Sequence, residues 1–127
     1  KTLFPYTTLF RSLTNAPRDY AHQVLRHIGL HRHFAEHVPI EAMKVHGQWR
    51  PKPSKLMLQR LLRRQRILPS QCVLVEDTLA NLKSARALGL KTVWFTGFLP
   101  RSHRRSPIAD VQVKSLRQLP GRLRSLR

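Results

Sequence analysis

The sequence predicts an α/β fold: a partial Rossmann-like parallel sheet with flanking helices. Three observations carry this. Strand-like and helix-like segments alternate at short spacing. Two of the strand-like runs, Cys72-Val73-Leu74-Val75 and Thr92-Val93-Trp94-Phe95, are continuously apolar, the pattern of strands covered on both faces. The chain has 127 residues, 41% hydrophobic and 24% charged, which is enough for one domain core and too little for two ordinary ones.

Leu13-Thr14-Asn15 reads as the end of a strand that steps into a helix at Asn15 or Ala16. Pro17 suits the first helical position, where its missing N–H costs nothing. Tyr20, Ala21, Val24, Leu25 and Ile28 recur at helical spacing, and Gly29 stops that helix. Val38 to Ile40 reads as a short strand, and Gly47 to Pro51 as a loop. A second helix starts near Pro53 or Ser54. It buries Met57, Leu58, Leu61 and Leu62 and turns Arg60, Arg63, Arg64 and Arg66 outward. Pro69-Ser70 closes that unit, and the apolar run from Cys72 follows. Leu79 to Leu88 returns to helical spacing and ends at Gly89. After the Thr92 run come a weaker strand, Ala109 to Val113, and a basic helix, Leu116 to Leu126, interrupted by Pro120.

The charge is far from balanced: 24 Lys and Arg against 6 Asp and Glu, a net +18. Such a surface holds nucleic acid non-specifically by counterion release. No aromatic platform interleaves the arginines, and no zinc-finger or RNA-recognition signature occurs. No run of eighteen apolar residues exists, so no membrane partner is expected. His27, His31, His33 and His37 have no Cys nearby, which argues against a structural zinc site. The lone Cys72 excludes an intramolecular disulfide framework and fits a reducing, cytoplasmic location. The glycine-rich phosphate loops GxxxxGK[ST] and GxGxxG are absent.

Three segments carry candidate chemistry, each at a strand end or just before a helix. Thr14-Asn15 offers a hydroxyl and backbone N–H groups to an anion, or simply caps the helix. Pro51-Lys52-Pro53 stiffens the chain around one Lys, which either neutralises a phosphoryl oxygen or is solvated. Glu76-Asp77-Thr78 sets two adjacent carboxylates directly after an apolar strand. Oxygen ligands there suit Mg²⁺, and Asp77 or Thr78 also suits a helix cap.

In this order, the three segments resemble the haloacid dehalogenase superfamily. Leu13-Thr14-Asn15 looks like its second motif, Lys52 its third, and Glu76-Asp77 with Thr78 and Asn81 its fourth. Thr-Asn-Ala-Pro-Arg-Asp-Tyr-Ala (14–21), Arg-Pro-Lys-Pro (50–53) and the run 73–86 are closer still to the pyrimidine 5′-nucleotidase-like subfamily. The resemblance covers roughly Leu13 to Leu119. It implies a Mg²⁺-dependent phosphomonoesterase acting through an aspartyl-phosphate, on pyrimidine nucleoside monophosphates as the small-molecule partner. Thr14, Asn15 and Lys52 would bind phosphate, Lys52 would also stabilise charge, and Asp77 with Glu76 would hold the metal. Another phosphatase, a phosphomutase or a dehalogenase of the superfamily is the nearest alternative; a basic nucleic-acid-binding protein is the alternative from another class.

The superfamily's first motif, Asp-x-Asp, supplies the nucleophile and the general acid, and no Asp-x-Asp occurs in this sequence. The chain is therefore expected to be catalytically inactive. Without the strand of that motif, and without the cap domain, two sheet edges would lack a neighbour, with marginal stability and aggregation as the result. Thr2 to Ser12 matches, in all eleven residues, the translation of a widely used short-read sequencing adapter. The expected division is thus 1–12 as a non-native segment, 13–119 as the C-terminal part of a haloacid dehalogenase-like core, and 120–127 as a basic tail. Thr7 to Phe10 are β-prone and would extend the strand ending at Thr14.

Overall fold

The computed structural model describes residues 9–126. The chain divides into two compact units, Lys1–Lys52 and Pro53–Arg127.

In the first unit, strand β1 (Arg11–Leu13) pairs in parallel with β2 (Glu36–Val38). The Thr14 N–H continues the ladder to the Val38 carbonyl at 3.0 Å. Of the expected strand extension, Thr7 and Thr8 lie outside the described residues, and Leu9 and Phe10 precede β1 rather than joining it. Helix α1 (Arg18–His27) links the two strands. Pro17 is its N-cap residue, one position earlier than expected, and Gly29 ends it at φ +76°. Asp19 in the first turn and Arg26 and His27 in the last complement the helix dipole.

Strand β2 falls two residues before the expected Val38 to Ile40. Pro39 has no N–H to give a ladder, and Ile40–Ala42 turns as a 3₁₀ helix. The expected loop from Gly47 is in part a hairpin: β3 (Lys44–Val45) pairs antiparallel with β4 (Gln48–Trp49). His46 and Gly47, at φ +52° and +78°, give the two left-handed residues of a type I′ turn. The Lys44 ammonium sits 4.5 Å above the Trp49 ring across the hairpin. On β2, His37 contacts the Ser12 hydroxyl through Nδ1 (2.8 Å) and the His31 carbonyl through Nε2 (3.1 Å).

The second unit opens with α2 (Lys55–Arg64), capped by the Ser54 hydroxyl, which accepts the Met57 N–H at 3.2 Å. Met57, Leu58 and Leu62 are buried as expected, while Leu61 is half-buried. Arg66 fills the left-handed closing position, φ +55°, that glycine usually takes, and the Ile67 N–H reaches back to the Leu62 carbonyl. Strands β5 (Val73–Glu76), β6 (Lys91–Phe95) and β7 (Val111–Val113) form a parallel sheet in the order β5-β6-β7. Helix α3 (Leu79–Ala87) makes the β5-to-β6 crossover and packs on both strands. Asp110 ties β7 to β6: its carboxylate accepts the N–H and hydroxyl of Thr92, at 2.8 and 3.0 Å.

Strand β6 is covered on both faces, as its sequence predicts: Thr92 and Val93 are 0% exposed and Trp94 1%. Strand β5 departs from the same expectation. Val73 is 38% exposed, and Leu74, Val75 and Glu76 are half-buried. It ends the sheet, with β6 as its one strand neighbour among the described residues. Val93, Val111 and Val113 form one buried cluster of the core, packed by Val75, Phe95, Leu119, Leu123 and Leu126. The last three come from the expected basic helix, which is a 3₁₀ turn (Leu116–Gln118), α4 (Leu119–Leu123) and a second 3₁₀ turn (Arg124–Leu126). Pro120 stands in the first turn of α4, where proline is tolerated, so it starts a helix instead of interrupting one. No helix among the described residues is long and apolar enough to cross a membrane.

Candidate functional site

Thr14, Asn15 and Lys52 belong to the first unit, and Glu76 and Asp77 to the second.

In the first unit, β1 ends at Leu13 and delivers Thr14 and Asn15 to the carboxyl end of a parallel strand, where α/β folds bind ligands. The Thr14 Oγ1 accepts the Ala16 N–H at 3.1 Å, a tight local turn that leaves the hydroxyl proton to be donated elsewhere. The Ala16 carbonyl accepts the Ile40 N–H at 3.1 Å, fixing the turn to the segment after β2. Asn15 reaches 37 residues along the chain. Its Oδ1 accepts the Lys52 N–H at 2.9 Å, and its Nδ2 donates to the Lys52 carbonyl at 3.2 Å. Two of the segments singled out from sequence are thereby brought together.

The α1 N-terminus is already served by an acid that sequence reading did not single out. The Arg18 N–H donates to both carboxylate oxygens of Glu41, each at 2.9 Å. That backbone hydrogen bond, with the Arg18 charge as a smaller contribution, holds the Glu41 carboxyl below its ordinary pKa. The Arg18 N–H is therefore already committed to a carboxylate of the chain itself. Glu41 is one of six acids in the chain, but no motif or periodicity links it to Arg18.

In the second unit, Glu76 is the last residue of β5, and Asp77 and Thr78 lead into α3. The Glu76 Oε1 accepts the N–H groups of Asp77 and Thr78, at 3.2 and 3.4 Å. The Thr78 hydroxyl donates to Asp77 Oδ1 at 3.3 Å. The Glu76 carboxylate thus ties the turn that precedes α3, and the side chain of Thr78, the N-cap residue, makes no cap bond to the helix. A buried residue fixes the acidic turn from outside: the Trp94 indole N–H donates to the Asp77 main-chain carbonyl at 3.0 Å. The signal for that contact was present in sequence, since a buried indole N–H needs an acceptor. Its partner was not legible.

The two adjacent carboxylates form an all-oxygen donor set, which fits a hard cation such as Mg²⁺. Among the described residues, no group of three or more His, Cys, Asp or Glu is arranged to hold a metal.

The chain matches the haloacid dehalogenase-like hydrolase family over residues 11–89, more than half its length, and belongs to that family. Comparison with curated proteins gives no match. Among solved structures, it is similar to a conserved haloacid dehalogenase-like protein from Agrobacterium tumefaciens C58, with TM-score 0.78 and 23% identity over 94% of this chain and 55% of that one. The HAD-hydrolase YfnB from Bacillus subtilis, bound to magnesium, gives TM-score 0.73 and 20% identity over 90% of this chain and 47% of that one. A HAD phosphatase from Thermococcus onnurineus gives TM-score 0.69 and 22% identity over 89% and 49%. L-2-haloacid dehalogenases match as well. The chain spans about half the length of the solved structures it matches. At these identities the likeness shows the fold, and the mixed α/β architecture with parallel strands agrees with it.

Proposed function

We propose that this chain carries the phosphate-binding and metal-binding part of a Mg²⁺-dependent phosphomonoesterase, with pyrimidine nucleoside monophosphates as the substrate class. The observation that carries the reading is the junction of Asn15 with Lys52, because it joins two motifs that a phosphotransferase needs side by side. The Thr14 hydroxyl and the Asn15 N–H would hold phosphoryl oxygens. The Lys52 ammonium would neutralise charge that develops on them. Asp77 and Glu76 would hold Mg²⁺, which when bound shields the phosphoryl group as a Lewis acid. Support for magnesium comes from the all-oxygen donor set and from the magnesium-bound YfnB.

Attack on phosphorus requires a carboxylate nucleophile and a second carboxyl as acid and base. The family resemblance assigns both to Asp-x-Asp, which this sequence does not contain. The reading is therefore of a chain that binds phosphate with Mg²⁺ and does not turn over. Calorimetric titration of inorganic phosphate in the presence of Mg²⁺ is expected to give binding that Lys52→Ala and Asp77→Asn each weaken. Hydrolysis of p-nitrophenyl phosphate is expected to stay at the level of a Lys52→Ala control. Turnover above that control overturns the inactivity, and absence of phosphate binding overturns the reading. The matched dehalogenases favour a second reading, a 2-haloacid as substrate. It is supported instead if chloride or a 2-haloacid binds without Mg²⁺ and phosphate does not bind.

A further inference from the structure

The Pro51-Lys52-Pro53 segment is unusual in its hydrogen-bonding capacity. Proline carries no N–H, so Lys52 holds the one backbone donor of the three residues. That donor goes to Asn15 Oδ1 at 2.9 Å, and the Lys52 carbonyl receives Asn15 Nδ2 at 3.2 Å. One side-chain amide therefore pairs with both peptide groups of the Lys, much as a neighbouring strand would. Both bonds fall within usual hydrogen-bond lengths. An exposed loop between two prolines gains a fixed register relative to β1, and the Lys side chain leaves the backbone from a fixed point.

We propose that Asn15 is a positioning residue that acts through Lys52 and that its side-chain amide does not bind phosphate. The inference rests on the phosphate-binding reading above and deepens it. The two bonds set the orientation of the amide, and its remaining Nδ2 hydrogen cannot be turned toward a phosphoryl oxygen without breaking the bridge to Lys52. What Asn15 still presents to an anion is its backbone N–H, which any residue supplies. The side chain is then selected for the distance it spans. Serine or alanine is too short to reach both Lys52 groups, and glutamine adds a methylene that shifts the register.

A double-mutant cycle separates acting through Lys52 from touching phosphate directly. Phosphate affinity with Mg²⁺ is measured by calorimetry for the intact chain, Asn15→Ala, Lys52→Ala and the double variant. Asn15→Ala is expected to weaken binding about tenfold, the order of a lost hydrogen bond or two. In the Lys52→Ala background, the same change is expected to have no further effect. Amide exchange at Lys52, followed by NMR, is expected to quicken in Asn15→Ala. Full additivity of the two changes overturns the inference and leaves the phosphate reading standing, because it marks Asn15 as a direct ligand. Unchanged affinity in Asn15→Ala, with lower stability alone, also overturns it by reducing the clasp to a structural tie. If the intact chain binds no phosphate, both fall together. Should Asn15→Ala not fold, Asn15→Ser carries the same cycle, since it keeps a polar group for the turn and cannot bridge both Lys52 groups.

Discussion

The two candidate segments, one in each unit, are anchored by the same device in opposite surroundings. In the first unit, an exposed Asn15 amide grips the backbone of Lys52 from 37 residues away. In the second, the Trp94 indole, 1% exposed, grips the backbone of Asp77 from 17 residues away. Each long-range bond goes to the main chain of a candidate site residue and not to its charged group. The difference is where the anchor is rooted. Trp94 is part of the core of its sheet, so the acidic turn inherits the stability of the whole second unit. Asn15 is rooted in a surface turn, whose own support is Thr14, Ala16 and the segment after β2. The acidic turn is therefore fixed by packing and the Asn15–Lys52 junction by polar contacts.

That contrast can be broken most severely at Trp94. Trp94→Ala is expected to cost about 3–5 kcal/mol, in the range for removing a large buried aromatic, read as a lower midpoint in urea unfolding. Trp94→Phe keeps most of the volume and loses the indole donor. About 1 kcal/mol is expected for the missing bond, with a larger proportional loss in Mg²⁺ affinity than in stability. Equal losses in both would mean that the indole merely packs. The polar half is expected to respond less to substitution and more to pH. The Glu41 carboxyl is held below its ordinary pKa by the Arg18 N–H, so it contributes stability above the usual carboxylate pKa of about 4.3. That contribution is lost as pH falls through its lowered folded value. Glu41→Gln is expected to flatten the acid limb of stability against pH, the smallest of these effects. An unchanged acid limb would remove Glu41 as the support of α1.

How much of this was legible in the sequence depends on the kind of interaction. Strand β6 and the ends of the α1 and α3 helices follow from apolar runs and from Gly29 and Gly89, all local signals. Strand β5 carries an equally apolar run, yet Val73 is 38% exposed. Composition reports what a strand can bury, and coverage depends on neighbours that the run itself does not encode. The β3-β4 hairpin was missed because its strands have two residues each, too few to show alternation, and because His46 stands where asparagine or aspartate usually announces such a turn. The candidate positions Thr14, Lys52, Glu76 and Asp77 could be singled out because a strand end, a proline pair and adjacent acids are local features. The partners that hold Asp77 and Lys52, the Trp94 indole and the Asn15 side chain, act at separations of 17 and 37 residues, and Glu41 reaches Arg18 across 23. Only the fold brings those together.

The closing leucines have a practical consequence for handling the protein. Leu123 and Leu126 pack on the valine core of the sheet, yet they are interleaved with Arg122 and Arg124. A trypsin-like protease that clips after either arginine removes apolar groups that seal Val93, Val111 and Val113 from water. Trimming at the carboxyl terminus and global unfolding are thereby coupled, so that loss of a few residues is amplified into degradation of the whole molecule. Purification in the presence of serine-protease inhibitors, with the affinity handle kept away from this terminus, follows directly.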